Sequence, residues 1–280
     1  LDVQEYMRDR VPLIDAALEK LLPGADEPPV ALHAAMRQLI FPSGKRFRPI
    51  LAMAGAEAIG GSAQDALPVA TAVELIHTYS LVHDDLPCMD DDALRRGRPT
   101  VHILYGDAIA VLAGDALQSL AFEVLAGAAN GGNALAVAQA TAGLARAAGS
   151  RQLVGGQVDD LVYDPKDLNP AGIESVHTRK SAALIATSIA GGALLAGASV
   201  DQVGVLEEFG REVGIAFQIA DDLLDEDEDD QCSLVRALGV DGAASRGAEL
   251  LASALNRIED MGEPAAPLRA LARFAVQRTV

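Results

Sequence analysis

The stretch VATAVELIHTYSLVHDDLPCMDDD, Val69 to Asp92, decides how the chain is read. Its first half, Val69 to Val82, is strongly apolar and has no turn signal, which predicts a helix that buries itself. That helix ends in aspartate: five of the nine residues from Asp84 to Asp92 are Asp, and Arg95 and Arg96 follow closely. Helical spacing puts His77, Ser80 and Asp84 on one face. Pro87 interrupts the ladder, so ideal helix geometry does not place Asp90.

A second acidic run, ADDLLDEDEDD, spans Ala220 to Asp230 at the end of another apolar stretch. Residues four apart stack, so Asp221 and Asp225 share a face, with Asp222 beside them and Gln218 one turn earlier. Like charges packed this closely destabilise a helix unless a cation sits among them. A solvated acidic surface is the plain alternative for Asp221 to Asp225, and the preferred one for Glu226 to Asp230. An EF-hand over Asp225 to Arg236 fails, because Asp230 takes the glycine position and Arg236 the last ligand position. Two acidic clusters, each anchored to an apolar helix, can face each other across a core. Oxygen-only ligands of this kind suit a hard cation such as Mg²⁺, which completes its shell with water and phosphate oxygens.

The rest of the chain is helical in pattern. Leu13, Ala17 and Leu21 suggest one buried face, and Leu206, Phe209, Val213 and Phe217 another. Breaks at Pro23–Pro29, Pro42–Gly44, Gly60-Gly61, Asn130–Asn133, Asp164–Pro170 and Gly262–Pro267 predict about ten helical segments. No stretch reads as a linker, so residues 1–280 are expected to form a single all-α domain. Ser181 to Val200 is uncharged and long enough to span a bilayer, but its Ala, Gly and Ser content predicts a buried helix instead. A net charge of −18 argues against nucleic acid and anionic membrane surfaces as partners. Cys88 and Cys232 have no metal or disulfide spacing and no signal peptide is evident, so a cytoplasmic setting is expected.

In so acidic a chain the cations are informative; there are only four lysines. PSGKRFRP, Pro42 to Pro49, gathers Lys45, Arg46 and Arg48 around Gly44 at a loop-to-helix junction, which suits an anion. A solvated basic turn is the alternative. Arg95 and Arg96 could simply neutralise the aspartates. Arg179, Lys180 and Ser181 precede the uncharged helix as a second candidate clamp, although Ser181 could be no more than a cap. His77 on an apolar helix could be a satisfied core histidine.

Taken together these segments resemble the trans-polyprenyl diphosphate synthases, and most closely the bacterial farnesyl diphosphate synthases. SGKRFRP is similar to that family's GGKRLRP. IHTYSLVHDDLPCMDDDALRRGRPT resembles its first aspartate-rich motif, GGQVDDL its GQxxDL, RKSAAL its KTxxL, and FQIADDLLD its second aspartate-rich motif. The resemblance is clearest from Val30 to Asp225. It implies an isoprenoid synthase helical bundle around a central cavity, and a homodimer. It also implies head-to-tail condensation of isopentenyl diphosphate with dimethylallyl or geranyl diphosphate to give farnesyl diphosphate. Asp84, Asp85, Asp90, Asp221, Asp222 and Asp225 would hold Mg²⁺, three ions with substrate bound. Arg95, Lys180, Ser181 and Gln218 would hold the allylic diphosphate. Gly44, Lys45, Arg48, His77 and Arg96 would hold isopentenyl diphosphate. Tyr79, five residues before Asp84, and Ser80 would set product length, the aromatic favouring C15 over the C20 of a geranylgeranyl synthase.

The chain departs from that pattern in two places. Ser181 replaces a threonine but keeps the hydroxyl. No lysine follows Lys180, where the family carries a lysine-bearing segment after the second motif. A mobile lid segment missing from this sequence is the preferred explanation over a truly short loop. Among rivals, an HD-type phosphohydrolase built on His77, His83 and Asp84 leaves GKRFRP unexplained. A cyclase would alter the second motif. A non-catalytic partner subunit would tend to lose the aspartates, and this chain keeps both sets.

Overall fold

The computed structural model describes residues 1–42, 44–164, 166, 169–224 and 232–277. Thirteen α-helices occur among them: α1 (Val3–Leu21), α2 (Val30–Gln38), α3 (Phe47–Ala58), α4 (Leu67–Asp84), α5 (Val101–Tyr105), α6 (Asp107–Gly127), α7 (Ala134–Ala148), α8 (Leu153–Leu161), α9 (Pro170–His177), α10 (Ala183–Leu195), α11 (Val200–Leu224), α12 (Leu234–Arg257) and α13 (Ala266–Val276). That is more than the breaks alone predict. Several added boundaries fall at single glycines: Gly106 between α5 and α6, Gly149 after α7 and Gly197 after α10. Caps fix several starts: Asp2 accepts from the Gln4 and Glu5 amides, and Asn133 from those of Leu135 and Ala136.

Helix α10 packs against α3, α4, α7 and α11. It contains most of the uncharged Ser181–Val200 segment and is buried, as its composition predicts. Its closest neighbour is α3, and the approach is backbone to backbone. A Cβ on Gly192 would overlap the Ala52 carbonyl oxygen, and one on Gly55 would overlap that of Ile189. Gly192→Ala is therefore expected to cost about 1–3 kcal/mol through overpacking. Thermal unfolding checks this; a midpoint equal to the parent's would show that the crossing can open freely.

The sequence pattern of α11 holds: Leu206, Phe209 and Val213 are buried and Phe217 packs against the core. In α1 the buried face is one residue away from the expected one. Ile14 and Leu18 are buried while Leu13 is 39% exposed. Both rows have the same i, i+4 spacing, so only the position of the neighbouring helices separates them.

One helix with the turn after it, Asp107–Asn130, is long and apolar enough by composition to cross a membrane. It is not the segment the sequence singled out. Its outer face, with Val111 and Leu112, continues the exposed Ile103 and Leu104 of α5.

Between α4 and α5 the chain makes a two-residue hairpin, β1 (Leu94–Arg95) and β2 (Arg98–Pro99). Arg96 and Gly97 turn it with φ of 54° and 73°. Positive φ at both central residues matches the twist of antiparallel strands.

Candidate active site

The first acidic cluster closes α4. Asp84 is its last residue, and the loop folds back so that the Asp90 amide donates to the Asp84 carbonyl at 2.9 Å. Asp85 is fully buried and its Oδ1 accepts from Arg95 Nε at 2.5 Å, while Arg95 Nη2 reaches Asp92 at 3.2 Å. Arg95 thus lies among the aspartates, held by the hairpin that carries it.

Lys180 enters from a π-helical turn, Thr178–Ala182, between α9 and α10. Its Nζ lies 2.5 Å from Asp160 Oδ2 on α8. Asp84 and Asp90 also raise its pKa, so its charge is shared by three carboxylates. Asp84 itself is pushed up to about 7. Burial is the main cause; Lys180 and Arg95 pull it down, and Asp90 and Asp85 push it further up. The carboxylates here outnumber the cations that face them.

The second cluster lies on α11 beside a cavity of 270 Å³, which Asp90, Asp160, Lys180, Ser181, Gln218 and Asp222 help to line. Gln218 accepts from the Ser181 hydroxyl at 2.8 Å and donates to Asp222 at 3.1 Å. Asp222 is buried, and its other oxygen faces the Leu234 amide that opens α12 and His177 Nε2 at 3.6 Å. Asp225 lies outside the described residues.

The third group is cationic. At the start of α3, Arg48 is half-buried and its Nη1 faces His77 Nε2 on α4 at 3.3 Å. Burial and then Arg48, Arg96, Arg95 and Arg46 hold the His77 pKa well below the usual histidine range, so the ring is neutral and its Nε2 accepts. The Arg96 guanidinium lies against Gly44; a Cβ there would sit 2.7 Å from Arg96 Cζ. Phe47 stacks on Phe217 of α11 at 5.7 Å, which ties this group to the second acidic helix. Below it, Tyr79 is buried and meets the edge of His83, whose Nε2 faces the Val111 carbonyl at 3.0 Å. The Ser80 hydroxyl turns back to the His77 carbonyl, 2.9 Å away.

Residues 29–257 match the polyprenyl synthetase family. The chain belongs to that family. Among its relatives, this polyprenyl synthetase chain is 44% identical over 229 residues to a heterodimeric geranylgeranyl pyrophosphate synthase large subunit of Arabidopsis thaliana. That match covers 80% of the chain and 61% of the relative, so the chain spans less than two thirds of that protein's length. A geranylgeranyl pyrophosphate synthase of Catharanthus roseus is 38% identical, with 99% of the chain and 82% of the relative covered. A crystal structure of an FPP/GFPP synthase from Zymomonas mobilis superposes with a TM-score of 0.91 at 37% identity, covering 98% of this chain and 99% of that one. The helical fold is therefore that of the isoprenoid synthases.

Three residues escaped the sequence reading. Asp160 was inside a quoted motif but had no role, and its contact with Lys180 is the missing signal. Glu74 is the one acid of α4 before its terminal Asp84, and it proves to be buried against Arg46. Cys232, apparently isolated, lines the cavity. Burial, with help from Asp160 and Asp222, pushes its thiol up to about 12. Iodoacetamide at pH 8 is expected to add once to the folded protein, at exposed Cys88. A second adduct in the intact mass without denaturant would contradict the burial of Cys232.

Proposed function

We propose that this chain is a prenyltransferase that joins isopentenyl diphosphate to dimethylallyl or geranyl diphosphate, with farnesyl diphosphate as product. One observation supports this most. The bundle carries an acidic site that can bind a diphosphate only through added cations, beside a cationic site that can bind one directly. A reaction that ionises one diphosphate ester and retains the other needs both.

Members of this family generally depend on Mg²⁺. The residues fit it: the donors are hard carboxylate oxygens, and Asp84 is buried beside Asp90 and Asp85, where an added cation would offset the cost of its charge. Among the described residues no three His, Cys, Asp or Glu side chains converge into a metal cage, so water and diphosphate oxygens would have to complete the shells. Asp84, Asp90 and Asp221 would hold Mg²⁺, which when bound neutralises charge on the departing diphosphate. Lys180 and Arg95 would donate to the same diphosphate and stabilise its growing charge as the C–O bond breaks. Tyr79 and the apolar wall of α4 would exclude the water that would otherwise capture the allylic cation. Lys45, Arg48 and Arg96 would hold isopentenyl diphosphate so that its double bond faces that cation. The proton then lost has the released diphosphate as its acceptor.

Buried Tyr79 supports a C15 product. The names of the plant relatives favour C20 and fit no worse. The exposed apolar face of α5 and α6 supports a homodimer as the working unit. Incubation with Mg²⁺, isopentenyl diphosphate and each starter, followed by mass spectrometry of the prenyl products, tests the reading. A dominant C15 product supports it, C20 replaces the product assignment, and no elongation under any condition leaves the partner-subunit alternative.

A further inference from the structure

Arg46 is the one cation of the GKRFRP segment that the function above does not use, and it is the most thoroughly buried. Its side chain is 0% exposed and reaches α1, α4 and the turn after α2. Nε contacts Asp15 of α1 at 2.8 Å, Nη1 contacts Glu74 of α4 at 2.6 Å, and Nη2 donates to the Ile40 carbonyl at 2.6 Å. Its backbone has φ of 49°, a left-handed conformation uncommon for a side chain of this size. Such a conformation persists when the surroundings over-determine it.

Glu74 also acts on the neighbouring Arg48: burial lowers the Arg48 pKa, and Glu74, followed by Asp221, opposes that lowering. It lies three residues before His77, to which Arg48 points, so it shares that helix face. Yet Glu74 makes no ion pair with Arg48, whose Nη1 goes to His77 instead. Among the described residues the buried Nε of Arg48 has no hydrogen-bond partner. Glu74 is instead taken up by Arg46.

We propose that Arg46 is a positioning residue that sequesters Glu74 and so keeps the Arg48 guanidinium free for the diphosphate of isopentenyl diphosphate. Without Arg46, a buried Glu74 carboxylate would need a new cation, and Arg48 is the one at hand. The inference rests on the assignment of this group to isopentenyl diphosphate.

The test uses the full chain and two independent readings: steady-state kinetics, and calorimetric titration with isopentenyl diphosphate, which needs no turnover. Arg46→Met is expected to raise both KM and Kd for isopentenyl diphosphate about tenfold, with KM for the allylic substrate within about twofold of the parent. Adding Glu74→Gln to it removes the charge that captures Arg48, and should bring Kd back to within about threefold. A residue that merely holds the fold together would show the opposite, the double variant being as weak as the single one or weaker. That result, or an unchanged Kd in a folded Arg46→Met, overturns the proposal. Should Arg46→Met not fold, Arg46→Lys keeps a charge without the three-way fork, and its Kd should be raised and again restored by Glu74→Gln. Parent protein that binds isopentenyl diphosphate but makes no product overturns the prenyltransferase reading alone. Parent protein that does not bind it overturns both.

Discussion

Asp84→Asn is expected to lower kcat/KM for prenyl transfer by about a thousandfold or more while leaving the metal-free protein at least as stable as the parent. The substitution keeps the shape and removes one charge from the group proposed to hold Mg²⁺ against the leaving diphosphate. Losing a preorganised electrostatic contact of this kind costs about two to three orders of magnitude in other enzymes, and loss of the cation as well adds to that. Stability moves the other way because Asp84 ionises in a buried place beside Asp90 and Asp85. A carboxyl whose pKa is raised in the folded state contributes stability below its unfolded pKa, and that contribution is lost as pH rises through the folded value. With chelator present, the gain in melting temperature of the asparagine variant should therefore be small at pH 4, grow as pH rises toward about 7, and be full and level at pH 8.5. Activity within tenfold of the parent would remove Asp84 from the reaction. A melting temperature that falls at pH 8.5 would show that the carboxylate is stabilising.

Lys180→Met should lower activity by at least about a hundredfold and, unlike the first variant, destabilise the metal-free protein. Its ammonium is the charge shared by Asp160, Asp84 and Asp90. Methionine keeps the apolar length of the stem and leaves three carboxylates facing one another, so breaking the partly buried pair with Asp160 should lower stability by about 1–3 kcal/mol. Kinetics and calorimetric melting on the same preparations give the contrast: both variants lose activity, and their stabilities shift in opposite directions. A Lys180→Met protein that melts with the parent would mean that Asp160 and the aspartates are neutralised by something else. Unaltered turnover would take Lys180 off the allylic diphosphate.

The hairpin shows why part of the site was hard to read. Arg95 and Arg96 are adjacent, and the sequence allowed both to be simple counter-charges. In the structure the turn at Arg96 and Gly97 sends them to different places. Arg95 goes to Asp85 and Asp92, and Arg96 goes across to Gly44. A turn of two residues is invisible to periodicity, because each strand is too short to alternate. Asp85 and Asp222 raise the same point. Each reads like its neighbour in an aspartate run, but Asp85 is taken up by Arg95, and Asp222 by Gln218 and the start of α12.

Two things were determined by the sequence alone: the all-α class, and the ends of the two apolar helices at which acid collects. An apolar run longer than a strand escapes water most readily as a buried helix, and helical spacing then orders the residues along it. The partnerships were decided by tertiary structure. Which face of α1 is buried, where Glu74 spends its charge, and which aspartates remain available to a cation depend on what lies opposite. Desolvation and Coulomb interactions act through space between residues that the chain separates by tens of positions, as Arg46 and Glu74 are, and local spacing carries no record of them.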